Sequence, residues 1–347
     1  MIDKVNIRNI SLSDLEAFCK KVGERSFKAA QISNWIWHKG AKDFDSMSDL
    51  SKKLRENLKE YFYFDNISIS NKQISKDKTI KILFSSIDNQ YFEGVLIPGK
   101  GRATACISTQ AGCPLNCDFC ATGKLGFHRN LSIGEIFGKV FELNEVSKKE
   151  YGRALTNIVI MGMGEPLLNY ENTLNAVNKI ISEKGLGMSP QRVTLSTAGI
   201  TPQIKQLADD KIKFNLSISL HSADNSKRSE IMPVNKKYDL EMLSAALSYF
   251  YDKTGKRITY EYLLLKGFND SIKDAEKLSR FAKISPCKIN LIEYNPADTK
   301  DKYLASDNKT TQNFIEFLEK KNMVVTLRRS KGQDINAACG QLANKNQ

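Results

Sequence analysis

The chain has 347 residues, 41% of them hydrophobic, and a net charge of +13 with a pI near 9.2. That size and apolar content suffice to bury a substantial core, in one large domain and a smaller one. No apolar run approaches membrane-spanning length, and MIDKVNIRNISLSDLEAF lacks the basic-then-apolar pattern of a signal peptide, which excludes a membrane role and leads one to expect a cytoplasmic protein. In a reducing compartment the seven cysteines, an odd number, should be metal-bound or catalytic rather than disulfide staples. The basic excess suits a polyanionic partner, most simply RNA, although a solvated lysine-rich surface carries the same charge.

The first stretch reads as helices. Ser11 caps SLSDLEAFCKKVG with Asp14 three residues on, Ile32, Trp35 and Ile36 form one apolar face, and Leu50, Leu54 and Leu58 another. Trp35 and Trp37 read as packing residues. A small helical domain over 1–64 follows. From Asn66 the period changes: NISISNKQIS, TIKILFSSI and NQYFEGVLIP predict an antiparallel meander, a β-extension over 65–100. Beyond Gly101 strands and helices alternate, with strands at ATACIST, TNIVIM, RVTLST, FNLSISL, ITYEYLLL and KINLIEY, and VVTLRR as a last strand. Six such units predict an α/β fold with a partial (β/α)6 TIM-like barrel over 101–330, and an irregular tail over 331–347.

Unusual residues cluster just after these strand ends, where parallel barrels build active sites. Cys113, Cys117 and Cys120 stand in GCPLNCDFCATG. Three thiolates on one loop suit three corners of an iron–sulfur cube and leave its fourth iron open to a small molecule. Structural zinc is the alternative. It needs a fourth protein ligand, and the nearest candidate, His128, lies beyond usual spacing. Phe119 suits a centre shielded from water. Next comes MGMGEP, where Gly162 and Gly164 would let backbone approach a ligand and Glu165 would accept from an ammonium. Ser196, the run Ser219, Leu220 and His221, and Asn295 follow on further loops. Singly, the serines read as turn hydroxyls, and the histidine reads equally as a structural residue or a ligand.

A CxxxCxxC loop after the first barrel strand, followed by GEP, resembles the radical S-adenosylmethionine (SAM) superfamily. The resemblance implies a [4Fe–4S] cluster on Cys113, Cys117 and Cys120, SAM chelated to the open iron, and contacts to SAM from Gly164, Glu165, Ser196, Ser219, Leu220, His221 and Asn295. An electron from the cluster would break the sulfonium to a 5′-deoxyadenosyl radical. Cys106 in RATACIS and Cys339 in ACGQL sharpen the resemblance, over nearly the whole chain, to the RlmN family of adenine C2-methyltransferases. Without it both would read as small buried thiols, as Cys19 and Cys287 do.

C2 of adenine is electron-poor and cannot attack a sulfonium methyl, whereas a carbon radical can add to it. By resemblance, Cys339 takes a methyl from one SAM, and a second SAM supplies the radical that removes hydrogen from the S-methyl group. The methylene adds to C2, Glu93 accepts the C2 proton, and Cys106 attacks the sulfur of Cys339, leaving a transient disulfide for a thiol reductant to reopen. On its strand alone, Glu93 reads as an exposed carboxylate. The implied substrates are adenine 2503 of 23S rRNA and adenine 37 of tRNA, with an external electron donor and a monomeric enzyme. Pro166 follows the C2 pattern rather than that of C8-methylating, Cfr-like relatives. Arg328, Arg329 and Lys331 read as phosphate contacts or a solvated basic turn. The rival from another class is a zinc-containing, non-catalytic RNA-binding protein.

Overall fold

The computed structural model describes residues 4–296 and 302–343, so the tail is seen as far as Ala343. Helices Leu12–Lys21, Lys28–Trp37 and Lys52–Tyr61 open the chain. Ser11 and Ser51 cap the first and third through the backbone N–H groups of Asp14 and Leu54. Ile32, Ile36, Leu54 and Leu58 are fully buried, as the spacing predicts. Trp37 packs edge-on against Phe137 at 5.0 Å, and so fixes this layer to the helix Ile133–Tyr151 of the main body. A second tie is the buried pair Arg8–Asp65 at 3.0 Å, whose carboxylate also accepts from the hydroxyl of Ser132.

Ten strands form one sheet in which spatial order equals chain order: β1 (Ser68–Ile74), β2 (Ile80–Ser85), β3 (Tyr91–Gly99), β4 (Arg102–Ile107), β5 (Asn157–Ile160), β6 (Val193–Thr197), β7 (Asn215–Ser219), β8 (Ile258–Leu264), β9 (Cys287–Glu293) and β10 (Val325–Arg328). Strands β1 to β4 are antiparallel neighbours, and β4 to β10 run parallel. The meander is therefore no appendage. It continues the barrel sheet past β4 by backbone hydrogen bonds, Val95 lying opposite Cys106. VVTLRR supplies a seventh parallel strand, and β1 and β10 end the sheet without pairing to each other.

The parallel strands each carry apolar residues toward the helices, with Ile158, Leu195, Leu216, Ile218, Tyr260 and Leu291 fully buried. The helix after β4 shows how sequence fixes one such crossover. Ser132 and Glu135 form a reciprocal capping box at its start, and Gly152, at φ +64°, ends it in the left-handed region. Sequence periodicity missed the two-stranded ribbon of Gln110–Gly112 and Phe127–Asn130, which frames the cysteine loop.

Candidate active site

The carboxyl ends of β4 to β10 surround one cavity of about 320 Å³. Its walls carry Cys113, Cys117 and Cys120 on one side, and Gly164, Glu165, Ser196, Ser219 and His221 on the next strand ends. Cys106 and Cys339 face the same space. Chain segments more than 230 residues apart in sequence thus bring five thiols to one cavity.

The cysteine loop is held by its backbone. Cys113 N–H donates to Gly126 O at 2.8 Å, Cys120 N–H to Cys117 O at 3.1 Å, and Asp118 N–H to Ile231 O at 3.0 Å. Phe119 meets the ring of His221 edge-on at 4.9 Å. Burial pushes the Cys113 thiol up to about 12 and that of Cys117 well above its usual value. Such thiols shed their protons only to a positively charged centre, which is what iron provides. His128 is exposed on the framing ribbon and does not line the cavity. Among the described residues, no three His, Cys, Asp or Glu side chains converge on a point fit for a single metal ion. Three thiols on one loop, all opening into the cavity, are a donor set that suits an iron–sulfur cluster.

Glu165 is 3% exposed, and its oxygens accept from Leu167 N–H at 3.0 Å and Ala198 N–H at 2.8 Å. Burial outweighs those donors and raises its carboxyl to about 7. The glycines before it serve the protein first. A Cβ on Gly162 would stand 2.8 Å from the backbone of Ile107, and one on Gly164, at φ +95°, 2.5 Å from Gln110. These close approaches of the chain to itself need glycine and set the loop that carries Glu165 into the cavity wall.

Ser196 and Ser219 sit on neighbouring strands with hydroxyls 3.3 Å apart. His221, in the left-handed region at φ +56°, accepts from Leu263 N–H through Nδ1 at 3.1 Å. Its proton therefore resides on Nε2. Burial and the Arg228 guanidinium lower its pKa to about 3, so the ring is neutral. Leu220 is fully buried in the core and does not line the cavity. Its N–H donates to Glu261 O, and its carbonyl accepts from Arg228. Asn295 departs from expectation. It does not line the cavity, because its amide is spent on Glu293 O, Ser330 and, at 2.6 Å, Gln333.

The tail packs over the open side. Ala121 N–H, next to Cys120, donates to Gly340 O at 2.7 Å, and Thr122 Oγ1 to Leu342 O at 2.7 Å. Asp334 accepts from Ser75 and Lys76, and Asp77 from Gly332 N–H. Cys339 keeps an exposed surface toward the cavity, yet the surrounding protein raises its thiol pKa. Cys106 is buried and pushed up to about 12, again chiefly by burial. The cysteines are free thiols, so the expected Cys106–Cys339 disulfide is not formed in this structure.

Glu93 corrects the exposed-carboxylate reading. It is 2% exposed, lies 3.3 Å from Lys81 Nζ, and accepts from Ala343 N–H at 3.0 Å. The pleat explains this, since Glu93 shares a face with Val95, whose partner is Cys106. Arg328 is likewise no solvated turn. It lines the cavity and pairs with Glu261 at 3.2 Å, while Glu261 also accepts from Ser217 and Asn290. Glu261, Lys81 and the fully buried Arg228, which binds the carbonyls of Ala198, Ser219 and Leu220, were missed in the sequence.

Cysteines at the first strand end of an open parallel barrel, over a cavity ringed by the other strand ends, define a radical SAM enzyme, and residues 107–281 match the Radical SAM superfamily. That superfamily works with a [4Fe–4S] cluster and SAM. Residues 5–64 match the ribosomal RNA large subunit methyltransferase N-terminal domain. A probable dual-specificity RNA methyltransferase RlmN of Christiangramia forsetii is 48% identical over 99% of this chain and 97% of its own length. A dual-specificity RNA methyltransferase RlmN of Syntrophus aciditrophicus is 44% identical over 99% and 98%. The crystal structure of a radical SAM methyltransferase from Sphaerobacter thermophilus superposes with a TM-score of 0.91 at 37% identity, covering 97% of this chain and 99% of that one. The chain belongs to the RlmN family of radical SAM RNA methyltransferases.

No helix of the described residues is long and apolar enough to cross a membrane.

Proposed function

We propose that the enzyme methylates C2 of adenine 2503 in 23S rRNA and of adenine 37 in tRNA, through an S-methyl group on Cys339. The observation that carries this is the single cavity onto which three cluster cysteines and two further thiols, Cys106 and Cys339, all open. Simple methyl transfer to a nucleophile needs no spare thiols, whereas delivery of a one-carbon unit to an electron-poor carbon needs a carrier and a means of releasing it.

Cys113, Cys117 and Cys120 hold the [4Fe–4S] cluster. When bound, it supplies the electron that splits SAM and yields the radical that takes hydrogen from the S-methyl group. Glu165 receives the amino group of SAM, and Ser196 and Ser219 its ribose and carboxylate side. Neutral His221, with Nε2–H as donor, braces Phe119 against the loop. Cys339 displaces the methyl of SAM to form its thioether. After the methylene joins C2, Glu93 takes the ring proton. The adduct's unpaired electron would pass back to the oxidised cluster of the loaded enzyme. The Cys106 thiolate then attacks the sulfur of Cys339, the sulfur–carbon bond breaks with its electron pair on carbon, that carbon takes up a proton to become the methyl group, and a disulfide remains for external thiol reduction. The Arg328 guanidinium favours the thiolate of each, against the larger opposing effect of burial. The N-terminal helical layer over 1–64 and the basic surface serve RNA docking, and the site of action is the cytoplasm, where rRNA and tRNA reside.

Mass spectrometry of nuclease-digested rRNA from cells with and without the gene tests the assignment. Loss of 2-methyladenosine on deletion supports it, and loss of 8-methyladenosine instead transfers the enzyme to the C8 chemistry.

A further inference from the structure

Strands β2 and β3 bury an ion pair that the steps above leave half explained. Lys81 lies opposite Val95, and Val95 opposite Cys106, so Lys81 and Glu93 project from the sheet face that carries Cys106. Their side chains are 5% and 3% exposed, with Nζ 3.3 Å from Oε1. The tail covers both. Asn336 O accepts from Lys81 Nζ at 3.5 Å, and Ala343 N–H donates to Glu93 Oε2 at 3.0 Å. Between those anchors, Ala337, Ala338, Cys339 and Leu342 line the cavity. The pair therefore lies directly beneath the segment that carries the methyl-bearing sulfur.

A carboxylate so stripped of water takes up a proton at neutral pH unless a cation faces it. A protonated Glu93 cannot accept a proton from anything. Packing offers no reason to spend a lysine here, since apolar residues of similar volume would fill the space at no loss of stability. The lysine instead keeps an acceptor charged in a dry place.

We infer that Lys81 is a positioning residue for the proton-removal step, holding Glu93 as a carboxylate aimed at the space under the tail. This rests on Glu93 being the proton acceptor. In that step the C2–H bond breaks, its electron pair stays with the ring carbon, and the proton goes to Glu93 Oε2 while Lys81 keeps its own. Oε2 is the oxygen that Ala343 N–H occupies in the docked tail. The base is thus unmasked by the same tail displacement that carries Cys339 toward the nucleobase.

The test is a single-turnover reaction of the anaerobically purified holoenzyme with an rRNA fragment, following covalent protein–RNA adduct and released methylated RNA. Methylation of Cys339 is read by peptide mass spectrometry. Lys81→Met and Lys81→Gln should still methylate Cys339 but release product roughly tenfold or more slowly, with adduct accumulating. Lys81→Arg, which keeps the charge, should restore release. Glu93→Gln should accumulate adduct as the lysine variants do. If Glu93→Gln accumulates adduct while Lys81→Met and Lys81→Gln release normally, the role of Lys81 is overturned and that of Glu93 stands. If Lys81→Arg traps as much adduct as Lys81→Met, charge is irrelevant and the inference fails. If Glu93→Gln traps nothing, the acceptor assignment itself falls and takes the inference with it.

Discussion

The cysteine loop and the C-terminal tail meet across one cavity but are held in different ways. The loop is fixed by main-chain hydrogen bonds to the framing ribbon and to the helix Asn225–Ile231, and Phe119 is braced on His221. The tail is held mostly by side chains that belong to other elements: Ser75, Asp77, Lys81, Glu93 and Thr122. Main-chain bonds inside a packed fold break only with that fold, whereas single side-chain bonds are each worth about 1 kcal/mol and can be exchanged one at a time. On the proposed route a cluster must not move, and a thiol that serves a methyl donor and then a nucleobase must. The two kinds of attachment answer those two demands.

Removing a member of each region should break different things. Cys113→Ala should lose iron, visible absorption and activity together, by metal analysis and assay. Cys339→Ala should keep the iron and lose the S-methyl peptide. A Cys339→Ala protein without iron would contradict the independence of the two halves. Cys106→Ala should reach the covalent adduct and stop there, seen as an RNA-shifted protein band that persists in denaturant, and a freely turning-over Cys106→Ala enzyme would remove its resolving role.

Glu165 gives a smaller, pH-dependent effect. Its folded carboxyl is raised to about 7, so folding favours the protonated form and the charged form costs stability above that pH. A bound ammonium needs the charged form. SAM should therefore bind about tenfold more weakly at pH 6 than at pH 8, since a proton must be displaced. Glu165→Gln should flatten that slope in equilibrium binding, and an unchanged slope would exclude Glu165 as the titrating group. Smallest is Thr122→Val, which removes the bond to Leu342 O. A loss of about 1 kcal/mol should speed hydrogen exchange of the tail amides about fivefold and leave the N-terminal helices unaffected.

Much of this arrangement is legible in the sequence, for identifiable reasons. Strand runs such as TNIVIM and RVTLST are rich in β-branched residues bounded by turn and helix signals, and that pattern survives without any contact information. Ser11, Ser132 and Glu135 announce helix starts because capping is local. What lay hidden depends on pairs distant in the chain. Lys81 in TIKILFSSI and Glu261 in ITYEYLLL are lone charges in apolar strands, a signal that was available, but their partners Glu93 and Arg328 come from other strands. Arg228 carried no signal at all, since NSKRSEI reads as a solvated helix and the strand-end carbonyls it binds are visible only once folded. Asn295 follows a strand end like the others, but its bond with Gln333 of the tail could not be read from the sequence.

The whole account turns on the carbon travelling through Cys339 rather than passing directly from sulfonium to base. Holoenzyme given SAM with a trideuterated methyl group and undeuterated rRNA distinguishes the two by mass spectrometry of the product nucleoside. Because one deuterium is lost when the S-methyl group becomes a methylene, the 2-methyladenosine should carry two deuterium atoms. A product retaining all three would mean an intact methyl transfer and would contradict the proposed route.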